Sequence, residues 1–164
     1  MTSNGLVSLI HKETVFVSES DTQEKVFFEI STKLYDSGLV SPLFFENIVR
    51  READYPTGID LSSIASDFPC VAIPHTEAEY CLDTRIVPVK LMNPIPWHSM
   101  LDPSLTFNVT FLFMLLNNGE EEQVQMLALL MDYFNRLGNG GNQGLFNVGT
   151  KEELLNELGL TNIS

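Results

Sequence analysis

Short β-branched runs interleaved with capped amphipathic stretches predict an α/β fold, a single domain whose mixed β-sheet is sandwiched by helices on both faces. Three observations support that class. Apolar runs of strand length at 14–18, 70–73, 84–91 and 107–116 combine with four helical patterns in the order β, α, α, β, β, β, α, α. The length of 164 residues is that of one ordinary domain, so 1–164 is expected to form one unit. An apolar content of 44% with a mean hydropathy of +0.06 supplies a core large enough to offset chain entropy.

The elements follow in chain order. The stretch 14–18 (TVFVS) is short and β-branched and reads as the first strand. Ser20-x-x-Gln23 has the form of a capping box, and Val26, Phe27, Ile30 and Leu34 recur at helical spacing until Gly38 ends the run. A second helix is expected with Ser41 as N-cap and Pro42 at its first position, continuing through Leu43, Phe44 and Ile48 toward Arg51. Tyr55-Pro56-Thr57-Gly58 signals a turn, and 59–68, without sustained period, is expected as a loop with a helical turn. Residues 70–73 (CVAI) suit a central strand that Pro74 stops by withdrawing a backbone donor. In 84–91 (TRIVPVKL), Pro88 suits an edge or a bulge, and 93–97 (NPIPW) is expected as an irregular loop. After the apolar run 107–116, Glu120, Glu121 and Glu122 open a helix whose expected apolar face is Val124, Leu127, Ala128, Met131 and Phe134. A glycine-rich linker (138–144) precedes the capping box Thr150-x-x-Glu153 and a short helix built on Leu154, Leu155 and Leu158 and closed by Gly159.

Charge and length exclude several functions. Nine Lys and Arg against 22 Asp and Glu give a net charge of −13, which repels nucleic-acid backbones. The most lipid-like stretch, 106–116, is far shorter than the roughly 20 residues of a membrane span, and the first residues lack a signal-peptide pattern, so a cytoplasmic protein is expected. Cys70 and Cys81 form neither a CxxC pair nor a disulfide framework and read as small apolar residues of a reducing compartment. The sequons at Asn108 and Asn162 carry no weight in such a protein.

Few residues are left to carry chemistry. His75 stands just past a buried strand, where one ring nitrogen can be fixed by the scaffold while the other points outward; a hydrogen-bonded structural histidine fits the same residues. His98 reads as an ordinary loop residue. His75, Glu77 and Glu79 match no common zinc spacing, and no metal or cofactor is expected. Cysteine-histidine catalysis is disfavoured because burial raises the thiol pKa of Cys70. The 138–144 stretch lacks the Lys-Ser/Thr and the feeding strand of a phosphate cradle. Arg50 and Arg51 have two readings: cations that favour a helix C-terminus, or a guanidinium that recognises an anion near His75.

Arg51-Glu52-Ala53-Asp54-Tyr55-Pro56-Thr57-Gly58-Ile59, followed by Cys70-Val71-Ala72-Ile73-Pro74-His75-Thr76, resembles the IIA component of the bacterial phosphoenolpyruvate-dependent sugar phosphotransferase system, fructose/mannitol class. The resemblance implies that His75 is phosphorylated on its ε2 nitrogen by the phosphocarrier HPr and passes the phosphoryl group to a IIB component, with the membrane IIC component involved only indirectly. It also implies that Arg51, with Arg50 as fallback, stabilises the phosphoryl group, and that Thr76 orients it or donates a hydrogen bond. Two departures stand out. The segment 60–69 is longer than in many members and is expected to reshape the partner-facing rim, and the second histidine of the family is replaced by Gln123, whose amide donates but does not titrate. The run 73–80 and the long segment most resemble the galactitol-type branch. A regulatory module that senses phosphorylation and binds a regulator is the alternative function.

Overall fold

The most apolar run of the sequence becomes the middle of the sheet. In the computed structural model, which describes residues 3–140 and 144–160, strand β5 (Thr106–Leu116) lies between β4 (Arg85–His98) and β3 (Cys70–Ala72), with β1 (Phe16–Ser18) and β2 (Gly58–Asp60) at the edges. β1 is parallel to β4 and β3 to β5, while β2–β3 and β4–β5 are antiparallel, giving the expected mixed sheet.

Period-2 alternation divides the core into two halves. Phe111, Phe113 and Leu115 of β5, with Val71 and Ile73, pack on the face covered by helices α1 (Ser3–Val7), α4 (Glu120–Asn139) and α5 (Lys151–Glu157), through Leu6, Met126, Leu130, Phe134 and Leu154. Leu112, Met114 and Leu116, with Ala72, Val87 and Val89, pack against α2 (Gln23–Asp36) and α3 (Phe44–Asp54) through Val26, Phe27, Ile30, Leu34, Phe44 and Ile48. Each of the Val, Leu, Ile, Phe and Met side chains among them, taken from water, contributes about 1.5–3 kcal/mol. Among the described residues no helix is long and apolar enough to cross a membrane.

Several expected boundaries move, each for a local reason. Thr22, not Ser20, caps α2 by accepting from the Lys25 N–H (3.2 Å), because the Ser20 hydroxyl is drawn to Glu29 (2.9 Å). Gly38, at φ 77°, ends α2: its N–H donates to Tyr35 O and that of Leu39 to Leu34 O, both at 3.0 Å. Ser41 caps only a turn, accepting from Leu43 N–H at 3.2 Å, and α3 starts at Phe44. Residues 93–97 are not a loop. They prolong β4, with Ile95 and Trp97 paired to Val109 and Phe107 after a register shift between Lys90 and Ile95 that absorbs the intervening residues. Pro88 is tolerated because β1 pairs only with Val89, Lys90 and Leu91, so β4 is locally an edge at the proline.

The apolar face of α4 centres on Met126, Leu130 and the expected Phe134, with the expected Leu127 and Met131 packed partly buried beside them, whereas Val124 is 70% exposed and Ala128 is also exposed. The helix takes in Gly138, where a Cβ would stand 2.6 Å from Ile64 Cγ2. Of the expected glycine-rich linker, 141–143 lie outside the described residues, as do the sequon at Asn162 and the side chains of Glu120, Glu121 and Glu122. Thr150 caps α5 as expected, and Glu153 returns a bond to Gly149 N–H at 2.8 Å. Among the described residues, α1 and the edge strand β2 were not anticipated, nor were the short 3-10 turns Lys12–Thr14, Ala78–Tyr80 and Gly144–Asn147.

Candidate functional site

The chain positions His75 by ending β3 at Ala72, three residues before it. Ile73 N–H donates to Thr57 O (3.2 Å), Pro74 O accepts from Leu115 N–H (2.9 Å), and His75 forms one isolated parallel bridge to Leu115. The ring then folds back on its own strand, with Nδ1 2.8 Å from Ile73 O. A carbonyl only accepts, so Nδ1 carries the proton and Nε2 of the neutral ring holds the free lone pair.

Burial lowers the His75 pKa from 6.5, and Arg51 lowers it further, against the Ile73 carbonyl and Glu77, which raise it. The unfolded chain binds the proton more readily, so this group's contribution to stability is complete above pH 6.5 and is lost as pH falls through the folded pKa. An NMR titration of the ring carbons is expected to give a midpoint below 6.5; a midpoint at or above it would show that the ring is not held as described.

Arg51 comes from the last turn of α3. Its guanidinium donates through Nη1 to Glu77 Oε2 at 2.9 Å and lies over the Tyr55 ring, 5.0 Å from the centroid, while Nε is buried without a partner. The Glu77 carboxyl is held below its usual range by its own backbone N–H and by Arg51. Arg50 is exposed and donates to Asn47 Oδ1, on its own helix.

Sequence reasoning missed the group that fixes this corner. Glu52, 4% exposed, accepts from Thr57 N–H (2.6 Å), Thr57 Oγ1 (2.8 Å) and Trp97 Nε1 (2.7 Å). One carboxyl thus ties the end of α3 to β2 and β4, and Thr57 passes the constraint to Ile73 and so to the His75 ring. Burial raises the Glu52 pKa, against the bonds from Thr57 and Trp97. Gly58 completes the corner, since a Cβ there would meet His98 O at 2.6 Å. The Arg-Glu and Thr-Gly pairs of the sequence were the available signal, and their physical link is this carboxyl.

The remaining expected residues fall at different distances from the chemistry. Thr76 is buried, and its hydroxyl donates to Glu77 O (2.9 Å), so the side chain shapes the turn that carries Glu77. Gln123 is half-buried on the first turn of α4, a helix that starts shortly after Leu115, the residue bridged to His75. The segment 60–69 does not border His75. Asp60 pairs with Cys70 at the start of β3, Leu61 N–H donates to Pro69 O (3.2 Å), and Leu61 and Phe68 are buried toward α4, which places the segment at the opposite end of the strand. Cys70 and Cys81 are free thiols that burial pushes up, Cys70 to about 11. Among the described residues no cluster of His, Cys, Asp and Glu is placed to hold a metal ion.

A family model described as "Phosphoenolpyruvate-dependent sugar phosphotransferase system, EIIA 2" matches residues 8–159. No curated protein matches the chain. Solved structures share its fold at low identity. In the complex of enzyme IIAMTL and phosphorylated enzyme IIBMTL from Escherichia coli, a chain aligns with TM-score 0.64 and 19% identity, over 92% of this chain and 96% of that one. The mannitol-specific cryptic phosphotransferase enzyme IIA CmtB from Escherichia coli gives 0.66 and 12%, over 96% and 98%. The nitrogen regulatory protein IIA-Ntr from Neisseria meningitidis gives 0.60 and 19%, over 93% and 97%.

Proposed function

The chain belongs to the EIIA 2 family of the phosphoenolpyruvate-dependent sugar phosphotransferase system, and on that premise we propose that it is a phosphoryl carrier with His75 as the carrying residue. The observation that supports this most directly is the Nδ1–Ile73 O bond, which leaves Nε2 as the nucleophile at neutral pH. The Nε2 lone pair forms a bond to phosphorus as the donor's own P–N bond breaks, and that electron pair returns to the donor's ring. The proton on Nδ1 stays in place, and the Ile73 carbonyl stabilises the positive charge that the phosphorylated ring carries. Arg51 neutralises the phosphoryl oxygens, and positioning supplies most of the remaining rate.

HPr is the donor and a IIB component the acceptor in this reading, which also places the protein in the cytoplasm. The sugar class is that of the galactitol-type branch, on the resemblance of the run 73–80. Incubation with phosphoenolpyruvate, the general phosphotransferase enzyme and HPr is expected to add one acid-labile phosphoryl group to the wild type and none to His75→Ala, read by intact mass. Phosphate on the alanine variant would move the carrier to another residue, and none on either protein would reduce the likeness to fold alone. A regulatory reading is favoured by one observation, the shared fold of the nitrogen regulatory protein. Sugar phosphorylation that survives His75→Ala in cells lacking the wild-type copy would support it.

A further inference from the structure

Resting on the phosphoryl-carrier reading, we propose that Glu77 occupies Arg51 in the unphosphorylated protein and is displaced from it by the phosphoryl group on His75. Glu77 lies two residues after His75, its carboxylate meets Arg51 Nη1 at 2.9 Å, and the Thr76 hydroxyl holds the Glu77 carbonyl so that the side chain stays at this corner. Arg51 and Glu77 both act on the His75 ring electrostatically, with opposite signs, and their ion pair fixes the two charges at one place. The guanidinium is also incompletely used, since Nε is buried without a partner. A carboxylate satisfies one edge of a fork that a phosphoryl group, with three oxygens, fills more fully.

Exchange has an energetic consequence. Phosphoryl oxygens gain Arg51 only by ending its pairing with Glu77, and the released carboxylate then stands beside a second anion. Both effects raise the transfer potential of the phosphorylated protein and favour passing the group on. Glu77, 45% exposed at its side chain, has solvent to move into, so the exchange needs no rearrangement of the core.

The test is an equilibrium. Phosphorylated HPr is mixed with wild type, Glu77→Gln, Arg51→Gln and the double variant, and the phosphorylated fraction of each protein is measured by intact mass once it stops changing. Glu77→Gln is expected to shift the constant toward the phosphorylated carrier by roughly threefold to tenfold. That shift is expected to disappear in the Arg51→Gln background, because the competition is for Arg51. A constant unchanged by Glu77→Gln would overturn the exchange, and so would a shift that persists without Arg51, which would mark a diffuse charge effect. Failure of every variant, wild type included, to accept phosphate would overturn the carrier reading and this inference together, whereas either of the first two results leaves the carrier reading standing.

Discussion

Replacing Glu52 with alanine is expected to destabilise the protein by about 3 kcal/mol or more, while replacing it with glutamine leaves stability within about 1 kcal/mol. Alanine strands the buried Thr57 N–H and Trp97 Nε1–H, which point at the missing carboxyl from 2.6 and 2.7 Å. Glutamine can keep both. Its single carbonyl oxygen takes the place of Oε2, which accepts those two donors, and its amide faces the Thr57 hydroxyl, which reverses to accept. The pH dependence separates the variants further. A carboxyl whose folded pKa is raised from 4.5 stabilises the fold below 4.5 and loses that contribution as pH rises through the folded value. Wild type is therefore expected to lose ground relative to Glu52→Gln as pH increases from 4 toward 7. Denaturant midpoints at several pH values check both statements. A wild type that gains on the glutamine variant with rising pH would mean that the hydrogen bonds outweigh desolvation. Because Thr57 O also holds Ile73 N–H, the alanine variant is expected to loosen the His75 ring as well.

The contrast between Glu52 and His75 shows where the sequence was legible. His75 follows a compact apolar run closed by proline, so its place at a strand end follows from local pattern, and the structure puts it there, with the ring half-buried. The two layers of helices were equally readable, because Val26, Phe27, Ile30 and Leu34 repeat at helical spacing. Glu52 gave no such sign. A glutamate in the last turns of an amphipathic helix is ordinarily solvated, and its partners Thr57 and Trp97 come together only when β4 continues through 93–97. Two prolines made that stretch read as a loop, yet strand pairing tolerates them there, since Ile95 and Trp97 still point inward against Val109 and Phe107. The α4 face was read partly askew for a related reason. Of the expected residues Phe134 is buried and Leu127 and Met131 pack partly buried on the core, while Val124 and Ala128 are exposed; Met126 and Leu130 have the same helical spacing to Phe134, and only the docking of α4 on Phe113 makes them the centre of the face. The long segment 60–69 was assigned to the partner-facing rim by position in the chain, whereas the antiparallel β2–β3 pair carries it to the far end of β3. Glu77 as the partner of Arg51 depends on the turn after Pro74, which sequence spacing does not specify.

Arg51→Gln is expected to slow phosphoryl transfer from HPr to His75 by about 100- to 1,000-fold, the effect of removing one preorganised donor from a charge-stabilising site. Arg51→Lys is expected to recover only part of that loss, because an ammonium supplies charge without the planar fork. A purely structural arginine predicts something else. Arg51 stands in the last turn of α3, where a cation interacts favourably with the helix dipole, and its ion pair with Glu77 is partly exposed. Loss of those interactions costs about 1 kcal/mol or less and would leave transfer nearly intact. Measuring the denaturant midpoint alongside the single-turnover transfer rate therefore separates the two roles. A small change in midpoint with a collapsed rate assigns Arg51 to the phosphoryl group. Arg50→Gln provides the internal control: this side chain is exposed and engaged with Asn47, so both quantities are expected to stay near wild type. If Arg50→Gln slowed transfer as much as Arg51→Gln, the guanidinium that meets the phosphoryl group would not be the one paired with Glu77, and the exchange at that pair would fall with it.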